Sequence, residues 1–123
     1  MALGAPHTIL VVDDNDDNRD VIALMLRRRG YETLQAVNGA HALEVLETQR
    51  PCVIVLDLAM PVMDGWQFRL RQLERPDIRS IPVVLYSAQP DLEQLARGLG
   101  AVGYLKKPVD ADRLLAAVKS ACP

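Results

Sequence analysis

Five short apolar runs divide the chain, at Thr8–Val12, Tyr31–Val37, Cys52–Leu56, Ile81–Tyr86 and Gly103–Leu105. They favour β-branched residues and lack polar alternation, as strands buried on both faces do. The fifth run is short and takes its assignment from the rhythm of the other four. Each run is followed by a segment with helical spacing. Asn18–Arg29 sets Val21, Ile22, Met25 and Leu26 on one side and stops at Gly30. Ala40–Gln49 groups Ala42, Leu43 and Leu46 ahead of Pro51, and Gly65–Arg75 ends before Pro76. Asp91 is placed to cap a helix whose Leu92, Leu95, Ala96 and Leu99 follow i, i+3, i+4, i+7 spacing up to Gly100, a stripe that reads as core. Asp110–Ala121 carries Leu114, Leu115 and Val118.

Strand and helix thus alternate five times. That rhythm predicts an α/β fold, a (βα)5 doubly wound parallel sheet with helices on both faces and right-handed crossovers. A chain of 123 residues suits one domain over 1–123, with 1–7 as a short N-terminal extension. Hydrophobic residues at 50% and charged ones at 24% fit a packed core with a solvated surface and exclude a disordered or fibrous chain. A formal charge of −2 offers no basic field to nucleic acid or an anionic membrane. No apolar run approaches the ~18–20 residues that span a bilayer, and Met1–His7 lacks the shape of a signal peptide. A cytoplasmic protein without nucleic-acid or membrane partners is the expectation. Cys52 and Cys122 are too few for a disulfide framework. Cys52, inside an apolar run, is expected as a small buried hydrophobe, and Cys122 as an exposed, inert thiol, both reduced.

The polar residues of interest follow the runs. Asp13 and Asp14 follow the first, Asp57 the third, Ser87 the fourth, and Lys107 comes just after the fifth, whereas Val37-Asn38-Gly39 after the second reads as a turn. In an open parallel sheet, ligands sit beyond the carboxyl ends of the strands near a switch in strand order. Three carboxylates, a hydroxyl and an ammonium therefore converge on one edge. Two like charges ~4 Å apart repel by ~4 kcal/mol at an effective dielectric of 20, so the carboxylates call for protonation or a counter-ion. Oxygen-only ligation suits a hard ion such as Mg²⁺, which uses few carboxylates and leaves room for a phosphoryl oxygen. A calcium loop fails: counted from Asp13 or Asp14, its sixth position is Asn18 or Arg19 and its twelfth Leu24 or Met25, where Gly and Glu are required. Asp16, Asp17 and Asp20 read as favourable charges at the positive end of the first helix.

Four segments resemble the receiver domain of bacterial response regulators, the CheY-like family of two-component signalling. They are Val11-Val12-Asp13-Asp14-Asn15, Leu56-Asp57-Leu58-Ala59-Met60-Pro61-Val62-Met63-Asp64-Gly65, Ile81–Ala88, and Gly103-Tyr104-Leu105-Lys106-Lys107-Pro108. The resemblance spans Thr8 to about Ala121 and implies the flavodoxin-like strand order 2-1-3-4-5, which is also the order of the chemotaxis example of this architecture. It implies that Asp57 accepts a phosphoryl group and that Asp14, Asp57 and the Ala59 carbonyl ligate Mg²⁺ or Mn²⁺, with Asp13 acting through water. Lys107, Ser87 and the amides near Ala59 and Ala88 would bind phosphoryl oxygens, and Lys107-Pro108 is a candidate cis peptide.

The same resemblance implies a switch. Ser87 moves toward the phosphoryl group, Tyr104 rotates into the vacated space, and the face of the fourth helix, fifth strand and fifth helix changes its partner affinity. Ala59 and Gln89 would flank the path of the hydrolytic water. The implied partners are a histidine kinase or phosphotransfer protein upstream and a target protein or fused output domain downstream, with the chain a monomer or a phosphorylation-dependent dimer. On this reading the protein is not a turnover enzyme. An aspartyl-phosphate phosphatase of the haloacid-dehalogenase type would need a second Asp where Ala59 stands, and a phosphorylation-independent pseudo-receiver would have lost site residues that are present here.

Overall fold

A computed structural model of the protein describes residues 7–122, so most of the expected 1–7 extension lies outside the described residues. Five strands form one parallel sheet in the order β2-β1-β3-β4-β5: β1 (Thr8–Val12), β2 (Glu32–Ala36), β3 (Val53–Asp57), β4 (Val83–Ser87) and β5 (Gly103–Lys106). Five helices alternate with them: α1 (Asp16–Arg27), α2 (Gly39–Val45), α3 (Gly65–Leu73), α4 (Leu92–Gly98) and α5 (Ala111–Ala121). The two-residue period of a strand divides the core. Leu10, Val12, Ile54 and Leu56 pack with Ala42 and Leu46, Phe68, Leu92 and Ala96. Ile9, Val11, Val53 and Val55 face the other way, onto Ile22, Leu26, Leu114 and Val118. The first set belongs with α2, α3 and α4, the second with α1 and α5. β3 and β4 are buried throughout and β1 almost throughout, which explains their unbroken apolar sequence. β5 lies at the edge and is half exposed, the physical reason its run was so short.

Most element boundaries move by a few residues, for local reasons. α1 begins at Asp16, two residues ahead of the expected start, because Asn15 caps it by accepting from the Asn18 amide at 2.8 Å. β4 begins after Pro82, which has no amide to donate, and includes Ser87. Asp91 makes no side-chain cap bond: with ψ 36° its backbone is not extended, so the carboxylate is not aimed at the first-turn amides. Asp64 caps α3 instead with a full capping box, accepting from the Gln67 amide at 2.9 Å while its own amide donates to Gln67 Oε1. Val21 leaves the expected apolar side of α1 and is 47% exposed.

The cysteine expectation is overturned. Cys52 and Cys122 form a disulfide with Cα atoms 5.5 Å apart, and Cys122 is buried rather than exposed. They are 70 residues apart in sequence but meet because β3 starts, and α5 ends, at the same edge of the sheet. Closing a loop of that length removes unfolded-state entropy worth about 4 kcal/mol in the chain-entropy limit.

α3 also carries a buried polar network that the sequence pattern did not announce. Arg69 donates from Nε to the Leu99 carbonyl at 2.8 Å, from Nη2 to the Gly100 carbonyl at 3.0 Å, and from Nη1 to Gln72 Oε1 at 2.8 Å. Gln72 Nε2 donates in turn to the carbonyls of Ile78 and Ile81 at 2.9 and 3.0 Å. The α3–β4 loop and the C-terminus of α4 are thereby tied to one helix. Gln72→Leu keeps the volume but strands two carbonyls and one guanidinium hydrogen, and is expected to destabilise the fold by about 2–4 kcal/mol in urea unfolding.

Candidate functional site

Because all five strands run parallel, their C-termini lie at one edge, and the order reverses between β1 and β3. Asp13 follows β1, Asp57 is the last residue of β3, Ser87 is the last of β4, and Lys107 follows β5. Asp13 and Asp57 are buried, while Asp14 is exposed at the mouth. One carboxylate oxygen from each of Asp13, Asp14 and Asp57 lies within 4.8 Å of the others. Lys107 Nζ sits 3.2 Å from Asp57 Oδ1, 3.9 Å from Asp13 Oδ2, and 4.7 Å above the ring of Tyr86. The Lys107 amide donates to the Ser87 carbonyl at 3.0 Å, so the ammonium and the hydroxyl come from adjoining strand ends. The Lys107-Pro108 peptide is cis.

One ammonium faces two buried carboxylates. Burial pushes the Asp57 carboxyl up to about 6, with the charge of Asp13 adding to the rise and Lys107 opposing it. The Tyr86 phenol is raised for the same reasons, burial first and then Asp13 and Asp57. Asp13 Oδ1 accepts from the Asn15 amide at 2.9 Å, but Oδ2 is buried with no hydrogen-bond partner. An orphaned carboxylate oxygen beside two more carboxylates, with oxygen as the only donor, fits a hard divalent cation.

The loop after β3 is shaped by close backbone approaches. A Cβ on Gly65 would lie 2.5 Å from the Asp57 carbonyl oxygen and 2.8 Å from Leu58 Cα, so a side chain there would displace the strand end that carries Asp57. The Gly65 amide donates to the Leu58 carbonyl at 2.9 Å, and the Gly39 amide donates to the Met63 carbonyl at 2.9 Å. Between them Val62 adopts φ +70°, a costly conformation for a β-branched residue, and is 82% exposed. Ala59 and Ala88 sit exposed just past the ends of β3 and β4.

Not every expected residue joins the cluster. Ser87 is buried and its Oγ accepts from the Gln89 amide at 3.1 Å. Tyr104 stands apart: it pairs in register with Leu85, is 45% exposed, and donates to Glu93 Oε1 of α4 at 2.9 Å, which raises its phenol. Arg19 was missed. It is nearly buried and donates to the Asp13 carbonyl at 2.8 Å, Gln35 Oε1 at 2.9 Å and Asp16 Oδ1 at 2.6 Å, fixing the loop that presents Asp13 and Asp14. Its signal lay in the sequence, because Arg19, Ile22 and Leu26 share one helical stripe.

Residues 9–119 match the profile of the response regulator receiver domain. The chain belongs to this family. The receiver is 34% identical over 117 residues to sporulation initiation phosphotransferase F of Bacillus subtilis, covering 94% of this chain and 93% of that one. It is 40% identical over 108 residues to the hybrid signal transduction protein dokA of Dictyostelium discoideum, covering 86% of this chain but 6% of that protein. Its backbone resembles the chemotaxis response regulator CheY4 of Vibrio cholerae, with TM-score 0.87 and 28% identity, over 95% of this chain and 99% of that one. It is accordingly a receiver domain of two-component signalling, and receiver domains as a class are signalling switches rather than classical enzymes.

Two measurements test the receiver's site. Because the Asp57 carboxyl is raised, its ionisation opposes folding: stability falls as pH rises from about 4 through about 6. In metal-free buffer Asp57→Asn should gain about 2 kcal/mol in urea unfolding at pH 7, allowing for solvent at the open edge, and the gain should shrink toward zero by pH 4. Val62→Asn, which tolerates the left-handed region, should add about 1 kcal/mol without moving the site. A loss of stability there would mean that the Val62 side chain contributes more than its backbone strain costs.

Proposed function

We propose that Asp57 is the phosphoryl acceptor and that Asp13, Asp14 and Lys107 are the charges that make its phosphorylation possible. The observation that carries this reading is the placement of Lys107 Nζ 3.2 Å from Asp57 Oδ1 in a pocket with two further carboxylates. A carboxylate oxygen of Asp57 attacks the phosphorus of a phosphohistidine or an acyl phosphate. The P–N or P–O bond of the donor breaks, and its electron pair leaves with the imidazole or carboxylate. Phosphoryl transfer depends on charge neutralisation and in-line positioning more than on covalent help. Lys107, released from Asp57 as the carboxylate becomes an acyl phosphate, is in place to hold a phosphoryl oxygen. Ser87 supplies a hydroxyl at the neighbouring strand end, and the amides near Ala59 and Ala88 lie past the strand ends on the same side.

Asp14, Asp57 and the Ala59 carbonyl would hold Mg²⁺ or Mn²⁺, with Asp13 acting through water. When bound, the ion supplies positive charge to the phosphoryl oxygens. The readout we propose is a population shift. Ser87 leaves its contact with the Gln89 amide for the phosphoryl group, and Tyr104 leaves Glu93 and turns inward, altering the face made by α4, β5 and α5. In this reading a histidine kinase or phosphotransfer protein donates the group, a separate target or a fused output domain receives the signal, and residues 1–123 form one receiver domain that works in the cytoplasm.

Intact-mass analysis after incubation with acetyl phosphate tests the assignment. A gain of one phosphoryl group that needs Mg²⁺ and disappears in Asp57→Asn is expected. Stoichiometric modification persisting in Asp57→Asn would remove Asp57 from the reading.

A further inference from the structure

A second cluster of reactive side chains lies at the opposite, N-terminal edge of the sheet from Asp57. Cys52 immediately precedes β3, Cys122 immediately follows α5, and His7 immediately precedes β1. The backbone holds all three: the Cys52 amide donates to the Thr8 carbonyl at 2.8 Å, the Cys122 amide to the Val118 carbonyl at 2.8 Å, and the Glu32 amide to the His7 carbonyl at 2.9 Å. The Cα separation of 5.5 Å is in the ordinary range for a disulfide, so the sulfurs meet without backbone movement. The two cysteines are not equivalent. Cys122 is 4% exposed and its Sγ lies 2.8 Å from His7 Nδ1. Cys52 is partly exposed, and its Sγ lies 3.4 Å from the Thr8 carbonyl oxygen, an acceptor ready for a thiol hydrogen.

We propose that Cys52 and Cys122 form a reversible thiol–disulfide centre that exchanges with a low-molecular-weight thiol of the glutathione class, entering at Cys52. The incoming thiolate attacks Cys52 Sγ, the Cys52–Cys122 bond breaks, and its electron pair passes to Cys122 Sγ. With its proton on Nδ1, His7 donates to that departing thiolate, and a charge-assisted bond of this kind favours the better leaving group. A second thiolate then attacks the external sulfur of the mixed disulfide, releasing the Cys52 thiolate and the oxidised small molecule. Two thiols are oxidised to one disulfide as the protein disulfide is reduced to two thiols, and the same steps in reverse close the bond. The asymmetry follows from exposure and from His7: Cys122 is shielded and has a partner for its charge, whereas Cys52 faces the reagent. A reducible bond at this position sets whether the end of α5 is covalently joined to the start of β3. It lies at the far edge from Asp57, so it acts on the anchoring of α5 and leaves the phosphoryl chemistry alone. The proposal stands independently of the role assigned to Asp57.

The test equilibrates the full chain in reduced and oxidised glutathione buffers containing EDTA. The mixture is then quenched in acid, alkylated with N-ethylmaleimide and read by intact mass and peptide mapping. The expected result is one two-electron transition between disulfide and dithiol, with the same midpoint from either direction. With oxidised glutathione, Cys122→Ser should be glutathionylated at Cys52, whereas Cys52→Ser should react at Cys122 about tenfold more slowly. His7→Gln should slow reduction of the wild-type bond about threefold at neutral pH. The rate of phosphorylation by acetyl phosphate should be the same in oxidised and reduced chains. A chain that remains a dithiol in strongly oxidising glutathione, or a bond that glutathione never reduces, would overturn the proposal using the wild-type protein alone. Equal or faster reaction at Cys122, or no effect of His7→Gln, would overturn the direction of exchange.

Discussion

A parallel sheet covered by helices on both faces leaves no wet side for an ionisable group, and the rest of this structure depends on that constraint. Charge enters the described sheet interior at the ends of strands, where the backbone turns outward. Asp13 and Asp57 sit at that boundary, side by side because β1 and β3 are neighbours. Desolvation and their mutual repulsion are what hold the Asp57 carboxyl high. Without Lys107 the pair would meet by protonation; with it, the pocket is still short of positive charge, as the raised Asp57 carboxyl and the unpartnered Asp13 oxygen both indicate. That shortage is of the kind a hard divalent cation would relieve.

Around this pocket the chain spends its irregular geometry. Gly65 lets the start of α3 press against the end of β3, the Gly39 amide ties the β2–α2 connection to the Met63 carbonyl, and Val62 takes the unfavourable φ between them. Arg19 holds the β1–α1 loop from the other side. These contacts fix backbone rather than side chains. The carboxylates are therefore presented from a hydrogen-bonded edge, while Asp14, Ala59 and Ala88 are exposed to solvent.

The alternation of strands and helices was legible because burial on both faces erases polar residues from central strands. The acidic pocket was legible because strand ends are where such residues have no structural reason to cluster. Other features depended on long-range geometry. The Cys52–Cys122 bond joins two segments whose separation in sequence carries no hint of their meeting, and the composition argued against it. Asp91 looked like a cap by residue type, but capping needs an extended backbone that the α4 entry does not have. Arg69 and Gln72 share a helical stripe with Phe68, so their burial could be suspected, but their carbonyl partners come from the α3–β4 loop and the end of α4. The outward position of Tyr104 rests on its bond to Glu93, a pairing between β5 and α4 that no local pattern encodes.

The two ends of α4 are held unequally. Its last carbonyls are gripped by the buried guanidinium of Arg69, whereas Asp91 at its first turn grips nothing. The helix is thus pinned at Leu99–Gly100 by a buried guanidinium, while its first turn carries only the exposed Tyr104–Glu93 side-chain bond. Moving the start of α4 would disturb only the buried side chains of Leu92 and Ala96 and the Tyr104–Glu93 bond, whereas moving its end would break the hydrogen bonds of Arg69.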